Sequence, residues 1–177
     1  MQLNEELVTG CIKNSRLHQK ALYNRFSTAM YSLLFRMLND REIAQDALQD
    51  AFIAIFQSIA ELKSPERLPG WIKMIVIRTA IQKIREKSKI IFEDIEEIKD
   101  VLLPDHDFTA IQLDKAIRSL PKGTRLVFML VEVEGYKHRE VAEILKISEG
   151  TSKSQLNYAK KMLQELLKEY KPEYDSK

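Results

Sequence analysis

Apolar residues recur at every third or fourth position through most of the chain, which is the spacing of one face of an α-helix. The segment 43–59 shows this spacing most clearly. Its apolar stripe consists of Ala44, Ala47, Leu48, Ala51, Phe52, Ile55 and Ile59. Only five Gly and five Pro occur in 177 residues, too few for the many turns of a β-sandwich or barrel. The sequence therefore predicts an all-α fold.

Breaks in the apolar pattern locate the ends of the helices. Residues 3–85 are predicted to be almost entirely helical, with Asn39 and Asp40 ending one helix and capping the next. The stretch SPERLPG, residues 64–70, is predicted to be a loop because of its two Pro and one Gly. A further helix is predicted from Trp71 to about residue 89, with the Trp71 ring in the core.

The charges are unevenly distributed, although the net charge is only +2. Residues 71–89 hold six basic side chains and one acid, residues 93–107 hold seven acids and one lysine, and the chain becomes basic again after Thr151. This layout favours two helical domains, 1–89 and 108–177, each with an anion-binding surface, joined by an acidic linker at 90–107. Solvated helix faces and a solubilising tether are the alternative interpretation of the same charges.

Several classes of protein are excluded by what the sequence lacks. The longest apolar run has six residues, 126–131, whereas a membrane span needs about 20, so no membrane insertion is expected. The acidic N-terminal segment and the single cysteine, Cys11, predict a cytoplasmic protein. His18, His106 and His138 lie in separate segments, so no catalytic residue, metal site or cofactor is expected, and the chain is not predicted to be an enzyme.

The segment YKHREVAEILKISEGTSKSQLNYAKKML, residues 136–163, has the pattern of a helix-turn-helix. A short apolar patch around Val141 and Leu145 is followed by Ser148, a suitable N-cap for a second helix. That helix begins with short polar residues of low helix propensity, which would allow close approach to DNA in the major groove. Lys153 and Gln155 could then reach base edges. A plain surface helix remains the alternative.

Three segments resemble the sigma-70 family, in particular its extracytoplasmic-function type (group 4). LPKGTRLVFMLVEVEGYKHREVAEILKISEGTSKSQLNYAKKML (120–163) resembles region 4. ALYNRFSTAMYSLLFRMLNDREIAQDALQDAFIAIFQSI (21–59) resembles regions 2.1–2.2, and LPGWIKMIVIRTAIQKIREK (68–87) resembles regions 2.3–2.4. The resemblance implies a subunit of bacterial RNA polymerase whose first domain recognises and melts the −10 element and whose second domain reads the −35 element. The implied partners are core RNA polymerase, promoter DNA and an anti-sigma factor, and the linker would run inside the polymerase.

The resemblance also implies roles for individual residues of the first domain. In the motif AQDALQDAF (44–52) and just after it, the expected contacts with the polymerase clamp are Asp46, Gln49, Asp50 and Ile53. The loop at about 61–69 would capture a flipped −10 base. The phosphates of the −10 strand would be held by Lys73, Arg78, Lys83 and Arg85. Many relatives have Asn where this chain has Arg78 and Asp where it has Gln82, so the details of −10 specificity are expected to differ.

In the second domain, the resemblance places four residues of the recognition helix in the DNA groove, namely Lys153, Ser154, Gln155 and Tyr158. Many relatives have Arg at the position of Gln155, and Gln prefers adenine where Arg prefers guanine. The expected phosphate contacts are Arg125, Lys137, Arg139, Lys160 and Lys161.

Two other functions agree with part of the sequence. A stand-alone helix-turn-helix regulator would account for 135–165 but not for AQDALQDAF or the basic helix at 71–89. A sigma-like decoy that sequesters an anti-sigma factor is suggested only by the departures at Arg78 and Gln82.

Overall fold

The computed structural model describes residues 2–87, Phe92 and residues 109–168, and the chain divides into two compact units, Met1–Ser88 and Lys89–Lys177. The described residues are helical apart from short turns, and they include no strand, which confirms the predicted all-α fold. The predicted acidic linker, 90–107, lies outside the described residues except for Phe92. No helix in the described ranges is both long enough and apolar enough to cross a membrane.

The N-terminal unit consists of α1 (Gln2–Ile12), α2 (Arg16–Leu38), α3 (Arg41–Ser58) and α4 (Leu68–Lys87). Helices α2, α3 and α4 each pack against the other two, and α1 packs on α2. The apolar stripe predicted for 43–59 faces this core. All seven of its members are buried: Ala44, Ala47, Leu48, Ala51, Phe52, Ile55 and Ile59.

The junction between α2 and α3 confirms the predicted break. Asn39 adopts the left-handed conformation, with φ 53°, and its N–H donates to the carbonyl of Phe35 at 2.8 Å. The Asp40 carboxylate accepts a hydrogen bond of 3.0 Å from the backbone N–H of Ile43. Such an N-cap is worth about 1 kcal/mol and fixes the first residue of α3.

The boundary of α4 differs from the prediction. Residues 59–67 form two 3₁₀ turns, Ile59–Glu61 and Pro65–Arg67, but the helix already begins at Leu68 rather than at Trp71. Pro69 is tolerated because its missing N–H would have no intrahelical partner in the first turn. Leu68 itself is fully buried, so its packing anchors the start of the helix.

The C-terminal unit consists of α5 (Ala110–Ser119), α6 (Lys122–Phe128), α7 (His138–Leu145) and α8 (Glu149–Lys168), with one π-helical turn, Met129–Val133, continuing α6. All residues from 123 to 130 are buried, so α6 and the start of the π turn form the centre of the unit. Helix α8 packs against α5, α6 and α7. Helix α8 is thus held by three other helices.

Candidate nucleic-acid interface

Helices α7 and α8 are joined by three residues and form the predicted helix-turn-helix. Lys146 ends α7 in the left-handed conformation, with φ 59°. Ser148 then caps α8, because its Oγ accepts a hydrogen bond of 2.9 Å from the N–H of Thr151. The polar start of α8 therefore has the local geometry that its sequence predicted.

The outer face of α8 carries three of the four predicted groove residues. Lys153 is exposed, and its Nζ lies 2.9 Å from Oε1 of Glu149, one turn earlier. Ser154 and Tyr158 are half-buried, and the Ser154 hydroxyl donates to the carbonyl of Thr151 at 3.1 Å. Asn157, also half-buried, lies between them on the same face and was not among the predicted contacts. Its polar type and its spacing from Lys153 could have identified it.

Gln155, the fourth predicted groove residue, does not lie on this face. Its side chain is fully buried, and its Oε1 accepts a hydrogen bond of 2.6 Å from the hydroxyl of Thr124 in α6. A side chain inside the unit cannot contact a base edge, so the prediction of a Gln155–adenine contact is corrected. The inference that Gln155 changes the preferred −35 base by direct contact is corrected with it.

Arg125 is also buried, with only 5% of its surface exposed. Its Nη1 donates to the carbonyls of Arg118 at 2.8 Å and Leu120 at 2.9 Å, at the C-terminal end of α5. Burial, and secondarily the charge of Arg118, lowers the pKa of the Arg125 guanidinium. The predicted phosphate contact is corrected, because this cation faces helix carbonyls rather than solvent.

The remaining basic residues of the C-terminal unit differ in their surroundings. Lys160 is half-buried, with 19% of its side chain exposed, and its Nζ lies 2.7 Å from the carboxylate of Glu132. Lys161 is exposed, as are Lys137 and Arg139. The guanidinium of Arg139 lies 3.5 Å from Glu143 across one helical turn, a pair too exposed to immobilise it.

His138, the first residue of α7, contacts the buried side of α8. Its Nδ1 lies 2.9 Å from Oγ of Ser152, which is fully buried. Burial lowers the pKa of His138, and the charge of Lys153 lowers it further. Burial in the folded chain therefore disfavours the charged imidazolium.

In the N-terminal unit, the four predicted polymerase contacts lie on the exposed side of α3. Asp46, Gln49 and Asp50 are exposed, and Ile53 leaves 55% of its surface in solvent. The fold thus brings the four predicted residues together on one face.

One of these residues also contacts a predicted DNA-binding residue. The carboxylate of Asp50 lies 2.5 Å from Nζ of Lys83 in α4. This hydrogen bond raises the pKa of Lys83, which stays protonated. The exposed side of α3 and the basic side of α4 therefore meet at this pair.

The four predicted −10 contacts lie on α4 with different exposures. Arg78 and Arg85 are exposed, whereas Lys73 and Lys83 are half-buried. Gln82, where many relatives have an acid, donates to Glu86 at 2.8 Å.

A cleft of about 530 Å³ lies beside the start of α4, at the loop predicted to capture a base. Its lining residues are Glu61, Leu62, Lys63, Arg67, Gly70 and Trp71. Trp71 was predicted to be a core residue, but it is only half-buried and lines this cleft. A planar aromatic ring beside two cationic side chains suits a stacked nucleobase and its phosphate.

The described residues contain no group of three or more His, Cys, Asp or Glu side chains arranged to hold a metal ion. Cys11 is a free, buried thiol whose pKa is raised by desolvation, which makes it a poor nucleophile.

Comparison with known proteins gives matches over both units. The family model described as sigma-70 region 2 matches residues 22–90, and that described as sigma-70, region 4 matches residues 110–163. The chain is similar to the ECF RNA polymerase sigma factor SigM of Mycobacterium tuberculosis, with 26% identity over 93% of this chain and 84% of the relative. It is similar to the RNA polymerase sigma factor SigV of Bacillus subtilis, with 29% identity over 75% of this chain and 81% of that protein.

Solved structures with the same fold include two complexes. The sigma factor RpoE bound to the anti-sigma factor NepR, from Bartonella quintana, matches with a TM-score of 0.56 and 20% identity, over 84% of this chain and 96% of that one. CnrH bound to the cytosolic domain of CnrY matches with a TM-score of 0.55 and 18% identity, over 96% and 99% of the two chains.

Proposed function

Because this chain belongs to the sigma-70 family, as a sigma factor of the extracytoplasmic-function type, and directs RNA polymerase to promoters, we propose how its two units divide that work. The N-terminal unit, residues 1–89, binds core polymerase and the −10 element. The C-terminal unit, residues 108–177, reads the −35 element. As a transcription initiation factor the chain supplies recognition, and the polymerase supplies catalysis. We place its action in the cytoplasm, where the transcription machinery works.

The observation that carries the −35 assignment is the outer face of α8. It presents Lys153, Ser154 and Tyr158, together with Asn157, away from the buried side of a helix-turn-helix. In this motif the first turns of the second helix lie in the major groove, where Lys and Asn side chains reach base edges. We expect the flanking phosphates to be contacted by Lys137, Arg139, Lys160 and Lys161.

The −10 assignment is supported by the cleft at 61–71 and by the basic side of α4. A base leaving the duplex would stack on Trp71, while Lys73, Arg78, Lys83 and Arg85 neutralise the backbone of the separated strand. Melting requires such a site, because an unpaired base must regain stacking to offset the loss of its neighbours.

The exposed side of α3 is the proposed site for core polymerase. Asp46, Gln49 and Asp50 precede the exposed Ile53 on the same face of α3, so the surface combines carboxylates, an amide and one apolar side chain. A partner with a basic surface and a small apolar pocket would match this arrangement.

Run-off transcription tests the division of work. Bacterial core polymerase without its own sigma factor is supplied with this chain and with promoter libraries randomised at either element. The parent chain is expected to select one −35 and one −10 motif. Lys153→Ala should weaken selection at −35 alone, and Trp71→Ala should reduce open-complex formation with the −35 preference unchanged.

Affinity for core polymerase is measured separately, by displacement of a labelled sigma factor. Ile53→Ala combined with Asp50→Ala should weaken binding at least tenfold, whereas Gln45→Ala, exposed on the same helix but outside the proposed set, should not. Equal affinities for all three chains would contradict the assignment of this face.

We also propose that an anti-sigma factor binds this chain, because the similar structure of the sigma factor RpoE contains the anti-sigma factor NepR. A candidate anti-sigma factor should abolish transcription when it is added before core polymerase. It should have little effect when it is added after open complexes have formed. Equal inhibition in both orders would indicate an action on the polymerase instead.

A further inference from the structure

Two uncharged polar side chains lie among the apolar residues on the buried face of α8, and both are fully buried: Ser152 and Gln155. Ser152 contacts His138 in α7 at 2.9 Å. Gln155 accepts a hydrogen bond of 2.6 Å from Thr124 in α6, which is itself 1% exposed. The recognition helix is therefore joined by directional contacts to two different helices.

These contacts restrict α8 in a way that its apolar contacts do not. Leu156, Ala159, Leu163 and Leu167 hold the helix against the unit. Burial of apolar surface has little directional preference, so it changes little when a helix rolls slightly about its axis. A hydrogen bond weakens steeply outside a narrow range of distance and angle. A buried polar group that loses its partner is costly, so both bonds favour one roll angle.

The roll angle of α8 decides which atoms reach a base. Side-chain tips lie about 5–6 Å from the axis of a helix, so a roll of about 20° moves them by about 2 Å. Hydrogen-bond distances tolerate a change of only about 0.5 Å. Lys153 and Ser154 on the outer face would therefore lose or exchange their base contacts on such a roll.

We propose that Thr124 and Gln155 determine −35 specificity as positioning residues, by fixing the roll of α8 through their buried hydrogen bond. Neither side chain touches DNA. The proposal depends on the assignment of α8 to the −35 element. It gives Gln155 an effect on promoter choice that does not require contact with a base.

The test uses the full chain with core polymerase and a promoter library randomised at −35 beside a fixed −10 element. The double variant Thr124→Val with Gln155→Met removes both members of the hydrogen bond while nearly keeping their volumes, a change that is tolerated far better than the loss of one partner. Its preference for the best −35 sequence over single-base variants should fall about tenfold, the size of one base contact. Its preferences in a −10 library should stay unchanged.

Two single variants serve as matched controls. Thr124→Ser retains the hydroxyl and should keep the parent's −35 preference. Leu156→Met alters apolar packing on the same face of α8 without touching a hydrogen bond, and it should keep the preference as well. If the double variant does not fold, as judged by far-UV circular dichroism, Thr124→Val takes its place. Its −35 preference should then be weaker than that of Thr124→Ser, and equal preferences would overturn the proposal.

An unchanged −35 preference in the double variant would overturn the proposal, since the roll would then be fixed without this bond, by packing and the Ser152–His138 contact. A loss of preference in either control as large as in the double variant would overturn it too. Failure of the underlying assignment would look different, because the parent chain itself would show no −35 preference that Lys153→Ala weakens.

Discussion

Replacement of Arg125 by Met tests whether this cation stabilises the C-terminal unit or binds DNA. The side chain is 95% buried, and its Nη1 donates to two carbonyls, of Arg118 and Leu120, at 2.8 and 2.9 Å. Hydrogen bonds from a charged donor are worth about 1.5–3 kcal/mol each, so the two lost bonds amount to about 3–6 kcal/mol. Relief of the desolvation of the guanidinium offsets part of this loss. We expect a net destabilisation of the C-terminal unit by about 2–4 kcal/mol.

The two units can be followed separately in the full chain. Trp71 is the one tryptophan of the sequence and lies in the N-terminal unit, so its fluorescence reports the unfolding of that unit. Far-UV circular dichroism reports the helices of both. Because about 1 kcal/mol shifts the midpoint of a domain of this size by about 4–8 °C, the variant should show a circular-dichroism transition at least about 10 °C lower, with the Trp71 transition unmoved.

The exposed Lys161 provides the matched control. Lys161→Met should leave the thermal unfolding of the chain unchanged. It should reduce the slope of log affinity for promoter DNA against log salt concentration by about 0.9, the value for one lost phosphate contact. Arg125→Met, assayed at a temperature where it remains folded, should leave that slope unchanged. A reduced salt slope together with unchanged stability for Arg125→Met would refute the structural role and would show that Arg125 contacts a phosphate.

Three further predictions concern stability. The pKa of His138 is lowered by burial, so protonation of this residue favours the unfolded state. Thermal melts should therefore show the C-terminal unit losing stability as the pH falls below about 6.5, the ordinary pKa of histidine. The variant His138→Gln should remove that pH dependence. A Cβ at Gly10 would overlap the ring of His18, so Gly10→Ala should destabilise the N-terminal unit by about 1–3 kcal/mol, measured by urea unfolding. A Cβ at Gly70 would meet open space, so Gly70→Ala should be neutral or slightly stabilising. Lys146 has φ 59°, so Lys146→Gly should stabilise the C-terminal unit by about 0.5–1 kcal/mol, and a lower melting temperature would show that the αL strain is relieved in another way.

Features that depend on short stretches of sequence could be predicted without the structure. The apolar stripe of α3 follows from a period of 3.6 residues, and the caps at Asp40 and Ser148 follow from side chains that reach backbone groups three residues away. The exposure of Asp46, Gln49, Asp50 and Ile53 follows in the same way, since they lie opposite the stripe. The start of α4 was misplaced because Pro69 in a first turn resembles a loop residue in sequence.

The two corrected DNA contacts, Gln155 and Arg125, were mispredicted for a different reason: their burial depends on other helices. Gln155 and Thr124 are 31 positions apart, so their hydrogen bond exists only when α6 packs on α8. Arg125 lies in α6, where residues 123–128 are all buried, and its guanidinium donates to carbonyls at the end of α5. The half-buried Trp71 ring likewise owes its cleft to the 3₁₀ turns beside it.

By itself, the sequence determined the helical class of this chain, its family and the composition of its exposed faces, because periodicity and capping act over one or two helical turns. Only the tertiary structure decided which polar side chains of the C-terminal unit are exposed and which are buried and hydrogen-bonded between helices. Burial is set by residues that are distant in sequence. A Gln or an Arg that a neighbouring helix covers forms hydrogen bonds inside the unit and cannot contact DNA.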